Sequence, residues 1–297
     1  MSTKDIYAVI VTFHPRIEQV KKLLQSLNAQ GISSITVDNG TLGKKEEEDI
    51  INLTHVLRLN DNFGIAKAQN EGIMYAKSSG AKYILFFDQD SDIQDDFINS
   101  LMKDFKEIED QGIPIAVMGP TFIDSRYKFY YKQIRLDKYG VRKKVNPQDY
   151  SSPFEVTIII SSGSLVPVSI LDDVGYMDEN LFIDYVDTEW CLRAISKGYK
   201  IYVSNSAIME HAIGDKMITF GGVHIPVHSP IRRYYRIRNA IIFAKMPHIP
   251  LMLKIRDNVV NMIHQMLLIV TQKNKLANIR IAFKAIFDGL SGKTGRT

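Results

Sequence analysis

Several acidic residues stand where apolar runs end. Asp88 and Asp90 close the stretch YILFFDQDSD at 83–92, Asp38 follows the run 35–37, and Asp187 follows Leu181-Phe182-Ile183-Asp184-Tyr185-Val186. A short bulky run bounded by polar residues reads as a buried strand, so Asp88 and Asp90 sit at the carboxyl edge of a sheet, where open α/β folds build ligand sites. Two carboxylates two residues apart on a stiff strand repel each other unless a cation lies between them. A hard divalent ion shared with a substrate's phosphates fits that need. An acidic turn opening the next helix would look the same in isolation. Asp187 has two readings as well: a helix N-terminal carboxylate favoured by the macrodipole, or a general base at the mouth of a cleft.

The elements that must position these residues follow from periodicity. Residues 6–12 (IYAVIVT), 35–37, 55–59, 83–87 and 115–118 read as strands. Between them, 17–30 carries Val20, Leu23, Leu24 and Leu27 on one helical face, 65–79 is a helix stopped by Gly80, and 96–111 is a helix closed by Gly112. Strands alternating with helices argue for a parallel sheet with helical crossovers. That topology puts Thr12 and His14, Asp38 and Asn39, Asn60 to Asn62, and Asp88 and Asp90 on one edge. A G-x-G-x-x-G turn and a G-x-x-x-x-G-K loop are both absent, so a nucleotide here would be bound mainly by side chains. Residues 122–150 lack clear periodicity and are not assigned. Farther on, 154–160 reads as a strand, Ser161-Ser162-Gly163-Ser164 as a tight turn or a close backbone approach to a ligand, 167–174 as a helix begun by Pro167, and the chain from about Asp187 to Lys197 as a helix.

Composition narrows the class. With 297 residues, 45% hydrophobic and 24% charged, the chain suits one large globular domain or two small ones. The single cysteine, Cys191, excludes an intrachain disulfide framework and points to a reducing compartment. No signal-peptide layout opens the chain, and no apolar stretch is long enough to span a bilayer. The net charge of +4 hides an asymmetry: from Arg232 onward 13 Lys and Arg face only Asp257 and Asp288, leaving 24 basic and 31 acidic residues before it. A basic tail on an acidic body suggests an anionic partner. With no aromatic-and-basic RNA motif and no zinc finger, nucleic acid is not expected.

Taken in order, VIVTFHP, VDNG at 37–40, NFGIAKAQNEGI at 62–73, FFDQDS at 86–91, SSGSLVP at 161–167, FIDYVDTEWCLRA at 182–194, His211 and RRYYRIRN at 232–239 resemble the GT-A-fold enzymes of glycosyltransferase family 2. The resemblance spans about residues 5–245 and is closest to bacterial dTDP-rhamnosyltransferases of O-antigen and cell-wall polysaccharide synthesis. It implies an α/β fold with a mixed, mostly parallel sheet flanked by helices, a transferase domain over 1–245 and a basic helical extension over 246–297. It also implies Thr12, His14, Asp38, Asn62, Gly64, Gln69 and Asp88 around the nucleotide and sugar, with Asp88 facing the ribose. Asp90 and His211 would hold Mg²⁺ or Mn²⁺, and Asp187 would be the catalytic base. The acid that precedes the base in the family's E-D motif is Val186 here, and Asp184 competes for the role. Among the arginines of 232–239, Arg238 is the one assigned to a diphosphate.

The expected reaction is inverting transfer of L-rhamnose from dTDP-β-L-rhamnose to a hydroxyl of a lipid-linked oligosaccharide. The competing readings are a UDP-hexose donor on the same fold, or a non-catalytic sugar-nucleotide-binding scaffold. Residues 251–270 and 276–290 read as amphipathic helices suited to an anionic membrane interface, with packing on the core or on a second subunit of a homo-oligomer as the other readings. The corresponding location is cytoplasmic, peripheral on the inner face of a bacterial plasma membrane.

Overall fold

Alternation along the first strand decides which helices cover which face of the sheet. The structure, a computed structural model, describes residues 2–124, 129–211, 216–220, 223–227, 229–272 and 274–296. Its strands are β1 (Ile6–Thr12), β2 (Ser33–Asp38), β3 (His55–Arg58), β4 (Tyr83–Asp88), β5 (Asp92–Ile93), β6 (Ile115–Asp124), β7 (Gln133–Leu136), β8 (Arg142–Val145), β9 (Phe154–Val156), β10 (Leu165–Pro167), β11 (Lys200–His211), β12 (Lys216–Phe220) and β13 (Val223–Val227). The helices are α1 (Ile17–Ala29), α2 (Lys44–Glu48), α3 (Ile65–Ser78), α4 (Phe97–Asp110), α5 (Val168–Val174), α6 (Val186–Ser196), α7 (Pro230–Lys245), α8 (Leu251–Thr271) and α9 (Lys275–Leu290).

The main sheet runs β3-β2-β1-β4-β10-β6-β11-β5, with β9 added on β11. Strands β3, β2, β1 and β4 are parallel, as are β6 and β11, while β10 enters antiparallel between β4 and β6. Period-two alternation sends Val9, Val11 and Phe86 to one face, against α3 and α6, and Ala8, Ile10 and Phe87 to the other, against α1 and α4. Each buried phenylalanine there contributes roughly 2–3 kcal/mol of transfer free energy. The α1 stripe Val20, Leu23, Leu24 and Leu27 is buried. Helix α3 lies so close to the sheet that a Cβ on Gly72 would stand 2.4 Å from Val9, so glycine is required for that approach.

Two expectations change. The strand expected over 154–160 stops at Val156, because Thr157 and Ile158 turn their N–H groups to the carbonyl of Ile134 at 2.9 and 3.3 Å and leave the sheet. The unassigned stretch 122–150 contains the rest of β6 and the β7–β8 hairpin.

The C-terminal helices are amphipathic as expected, but α8 carries its polar residues inward. Its buried face is Leu253, Asp257, Asn261, Gln265 and Leu268, while Met252, Ile255, Val259, Ile263, Met266 and Val270 are exposed. One cause is Arg233 of α7, fully buried, which donates to Gln265 Oε1 at 3.0 Å and to the Asn261 carbonyl at 3.0 Å. A buried guanidinium must be surrounded by acceptors, and α8 supplies them.

Candidate active site

The parallel register brings the strand ends level: Thr12 pairs with Asp38, Asp38 with Arg58, and Val11 with Asp88. Side chains lock the loops that follow. Gln89 accepts from the Phe13 N–H at 2.8 Å and donates to its carbonyl at 3.2 Å, tying the β1 exit to the β4 exit. Asp38 is buried, and its Oδ1 accepts from the N–H groups of Thr41 and Leu42 at 3.1 and 3.0 Å. Asn39 accepts from the Phe63 N–H at 2.8 Å and Asn62 from the Gly64 N–H at 3.0 Å. At Gly64, φ is 88° and an added Cβ would lie 2.4 Å from the Phe182 carbonyl oxygen. Only glycine lets the 60–64 loop meet the 182–185 loop, where the Ile65 N–H donates to that carbonyl at 2.8 Å.

The 182–185 loop is strained. Phe182, Asp184 and Tyr185 have φ of 64°, 60° and 68°, each costing on the order of 1–3 kcal/mol. Asn239 of α7 holds it, donating to the carbonyls of Leu181, Ile183 and Asp184 at 2.7, 2.8 and 3.2 Å. Arg238, expected at a diphosphate, is fully buried and outside the cleft. Its guanidinium donates to the carbonyls of Asn180 and Leu181 at 3.1 and 3.2 Å and also to that of Gly295. Its place in the fold is therefore beneath the loop that presents Asp184, and its donors are taken up by these carbonyls and by Asn239 Oδ1, at 2.9 Å from Nε.

A cleft of about 600 Å³ opens beside this loop, lined by Asp88, Ser161, Ser162, Asp184 and Asp187 together with Arg142, Arg232, Arg236, Arg256, Asp257 and His264. Burial pushes the Asp187 carboxyl up to about 6. The negative charges of Asp88 and, less, Asp184 add to that, and hydrogen bonds from Ser161 oppose it. Asp184 faces Arg232 and Arg236 at 3.4 and 3.5 Å. One aspartate is thus held as half of an ion-pair cluster, while the other is poised to exchange a proton near neutrality.

The remaining sequence-derived residues are not part of the cleft lining. Thr12 is buried and its hydroxyl has no hydrogen-bond partner. His14 is exposed, at φ 49°. Gln69 is buried and donates to Ser161 Oγ at 3.0 Å, which links it to Asp187. Asp90 is exposed beyond the end of β4. His211 ends β11, and its side chain falls outside the described residues. Among the described residues no group of three or more His, Cys, Asp or Glu could hold a metal by itself. Asp88 and Asp90, adjacent on an accessible edge, suit an ion that completes its shell with phosphate and water. Sequence reading missed Arg142, Arg256, Asp257 and His264. Arg142 lies in the stretch without periodicity, and the others were assigned to a membrane-facing helix.

A family model described as "Glycosyl transferase family 2" matches residues 8–175. A Shigella flexneri protein described as "dTDP-rhamnosyl transferase RfbF" is 43% identical over 292 residues, covering 98% of this chain and 97% of its own length.

The chain belongs to glycosyltransferase family 2.

It is a glycosyltransferase, and solved structures agree on the fold. S. aureus TarS 1–349 in complex with UDP-GlcNAc superposes with a TM-score of 0.57 at 16% identity, over 97% of this chain and 81% of that one. GalNAc-T7 with UDP, GalNAc and Mn²⁺ gives a TM-score of 0.57 at 15% identity, over 91% of this chain and 58% of that longer one. The mixed sheet with its flanking helices is thus the GT-A arrangement expected from sequence.

Proposed function

We propose that this glycosyltransferase moves L-rhamnose from dTDP-β-L-rhamnose to a hydroxyl of a lipid-linked saccharide, with inversion at the anomeric carbon. The observation that carries the mechanism is Asp187, pushed up to about 6 in the same cleft as Asp88 and chiefly by burial. The choice of donor is supported by the 43% identical relative described as a dTDP-rhamnosyl transferase.

In this reading the nucleotide lies along the strand edge, on Thr12, His14, Asp38, Asn62, Gly64 and Gln69, with Asp88 at the ribose. Asp187, as carboxylate, takes the proton of the acceptor hydroxyl. That oxygen forms a bond to the anomeric carbon as the bond from carbon to the diphosphate oxygen breaks, and dTDP leaves from the opposite face. Asp184 is the weaker candidate for base, because Arg232 and Arg236 hold it in an ion-pair cluster. Asp90 and His211 would hold Mg²⁺ or Mn²⁺, which when bound neutralises charge on the leaving diphosphate. The protein described as GalNAc-T7 was solved with Mn²⁺.

The domain is taken as 1–245, with 246–297 completing the lining of its cleft. Among the described residues no helix is long and apolar enough to cross a membrane. The exposed apolar residues of α8 and α9, including Phe283 and Phe287 at 71% exposure, together with Lys254, Lys275, Arg280 and Lys284, suit a peripheral seat on an anionic bilayer at the cytoplasmic face. A homo-oligomer would cover the same residues.

The test is transfer and donor hydrolysis across dTDP- and UDP-sugars, with and without Mn²⁺. Turnover selective for dTDP-rhamnose supports the reading. Selective turnover of a UDP-hexose, such as the UDP-GlcNAc held by TarS, replaces the donor. Binding without turnover of any sugar makes the chain a scaffold.

A further inference from the structure

The basic lining of the cleft that holds Asp187 is built from three separate parts of the chain. Arg142 comes from the β7–β8 hairpin, Arg232 and Arg236 from α7, and Arg256, Asp257 and Val260 from α8. Asp257 is buried and shared by two guanidiniums, Arg142 at 3.1 Å and Arg256 at 2.7 Å. That trio carries one positive charge in excess. Arg142 is three-quarters buried, and its Nε has no hydrogen-bond partner among the described residues. Burial draws Arg142 below the ordinary guanidinium value; Asp257 opposes this, and the nearby cations Arg256 and Arg236 add to it. A second anion in this corner would give the idle Nε an acceptor and offset the crowding of cations. Planar guanidiniums match phosphate oxygens best.

The surroundings say what kind of phosphate. Val260 lines the cleft, and beside it on the helix surface run Val259, Ile263 and Met266, 50%, 53% and 60% exposed. An anion corner that opens directly onto an apolar ridge suits a ligand with a charged head and a long apolar chain. In the transfer reading the donor's diphosphate takes the end of this cleft at Asp88, next to Asp90, and leaves the corner of Arg142, Arg256 and Asp257 to the acceptor.

We propose that Arg142 and Arg256, with Arg232 and Arg236 beside them, bind the phosphate or diphosphate of an amphiphilic acceptor whose apolar chain leaves along α8. The acceptor sugar is thereby held at Asp187. This rests on the transfer reading above and names the group by which that acceptor is recognised.

The experiment titrates the full-length protein, saturated with dTDP, with geranyl diphosphate in a calorimeter. Geraniol and phosphatidylglycerol vesicles are titrated in parallel. Geranyl diphosphate is expected to bind saturably and geraniol not. Arg142→Gln and Arg256→Gln should each weaken binding about tenfold, and Asp257→Asn, which removes the competing carboxylate, should tighten it. Arg256 is 42% exposed at its side chain, so its variant keeps the fold if Arg142→Gln does not. Equal binding by wild type and Arg256→Gln, equal binding of geraniol, or affinity for vesicles alone would overturn the subsite. Wild-type hydrolysis of dTDP-rhamnose is measured separately. Its absence beside arginine-dependent binding of geranyl diphosphate sinks the transfer reading and leaves the subsite standing.

Discussion

The side-chain amide of Asn239 donates to the carbonyl of Ile183 at 2.8 Å from a fully buried position on α7. The same nitrogen reaches Leu181 and Asp184. One side chain thus holds a backbone segment with three left-handed residues, directly before the helix that carries Asp187. Asn239→Ala leaves buried carbonyls without a donor, at a cost of about 1–3 kcal/mol. The expected outcome is a lower Tm and a fall in kcat exceeding any change in donor KM. A wild-type kcat would show that the loop holds its shape unaided.

Asp187 sets a pH dependence. Its carboxyl is raised to about 6, so activity that needs the carboxylate should fall on the acid side with a limb near that value. The linkage has the opposite sign for stability. The folded form holds the proton up to about 6 and the unfolded form only to about 4, so folding loses stability as pH rises between them. Asp187→Asn should therefore lose transfer by roughly 10²–10⁴-fold. Its Tm should exceed wild type at pH 7.5 by an amount worth about 1 kcal/mol, and match it at pH 4. Thermal melts at both pH values check this.

Asp90 is exposed and faces the accessible strand edge, so its replacement should not disturb folding. Asp90→Ala is expected to keep the wild-type Tm while transfer drops by about 10²-fold or more and no longer responds to added Mn²⁺. A variant that retains the full Mn²⁺ response would remove Asp90 from the metal site.

Gly64 has no room for a side chain against Phe182. Gly64→Ala must push the 60–64 loop off the 182–185 loop. We expect donor KM to rise together with a loss of kcat, measured by steady-state kinetics, because both halves of the site lean on that contact.

Phe283 and Phe287 are 71% exposed. Replacing both with Ser should leave the unfolding free energy within about 0.5 kcal/mol of wild type. Flotation with anionic vesicles should fall severalfold. Unchanged flotation together with a smaller species in sedimentation would assign the face to a second copy of the chain.

The strand edge was legible in the sequence. Short apolar runs ending in Thr12, Asp38 and Asp88 are local signals, and parallel pairing leaves such ends nowhere to go but one side of the sheet. The helices that follow were legible for the same reason, since the 3.6-residue period is local. The tertiary structure alone decided the basic lining of the cleft. Arg142, Arg236 and Asp257 lie far apart along the chain, and each by itself looks like a solvated surface charge. It also decided that Arg238 lies beneath the loop, because burial depends on what packs above a residue. For α8, periodicity showed that the helix has two faces. The buried Arg233, which takes Gln265 and Asn261, and Arg142, which takes Asp257, turn the polar face inward and leave the apolar face outward.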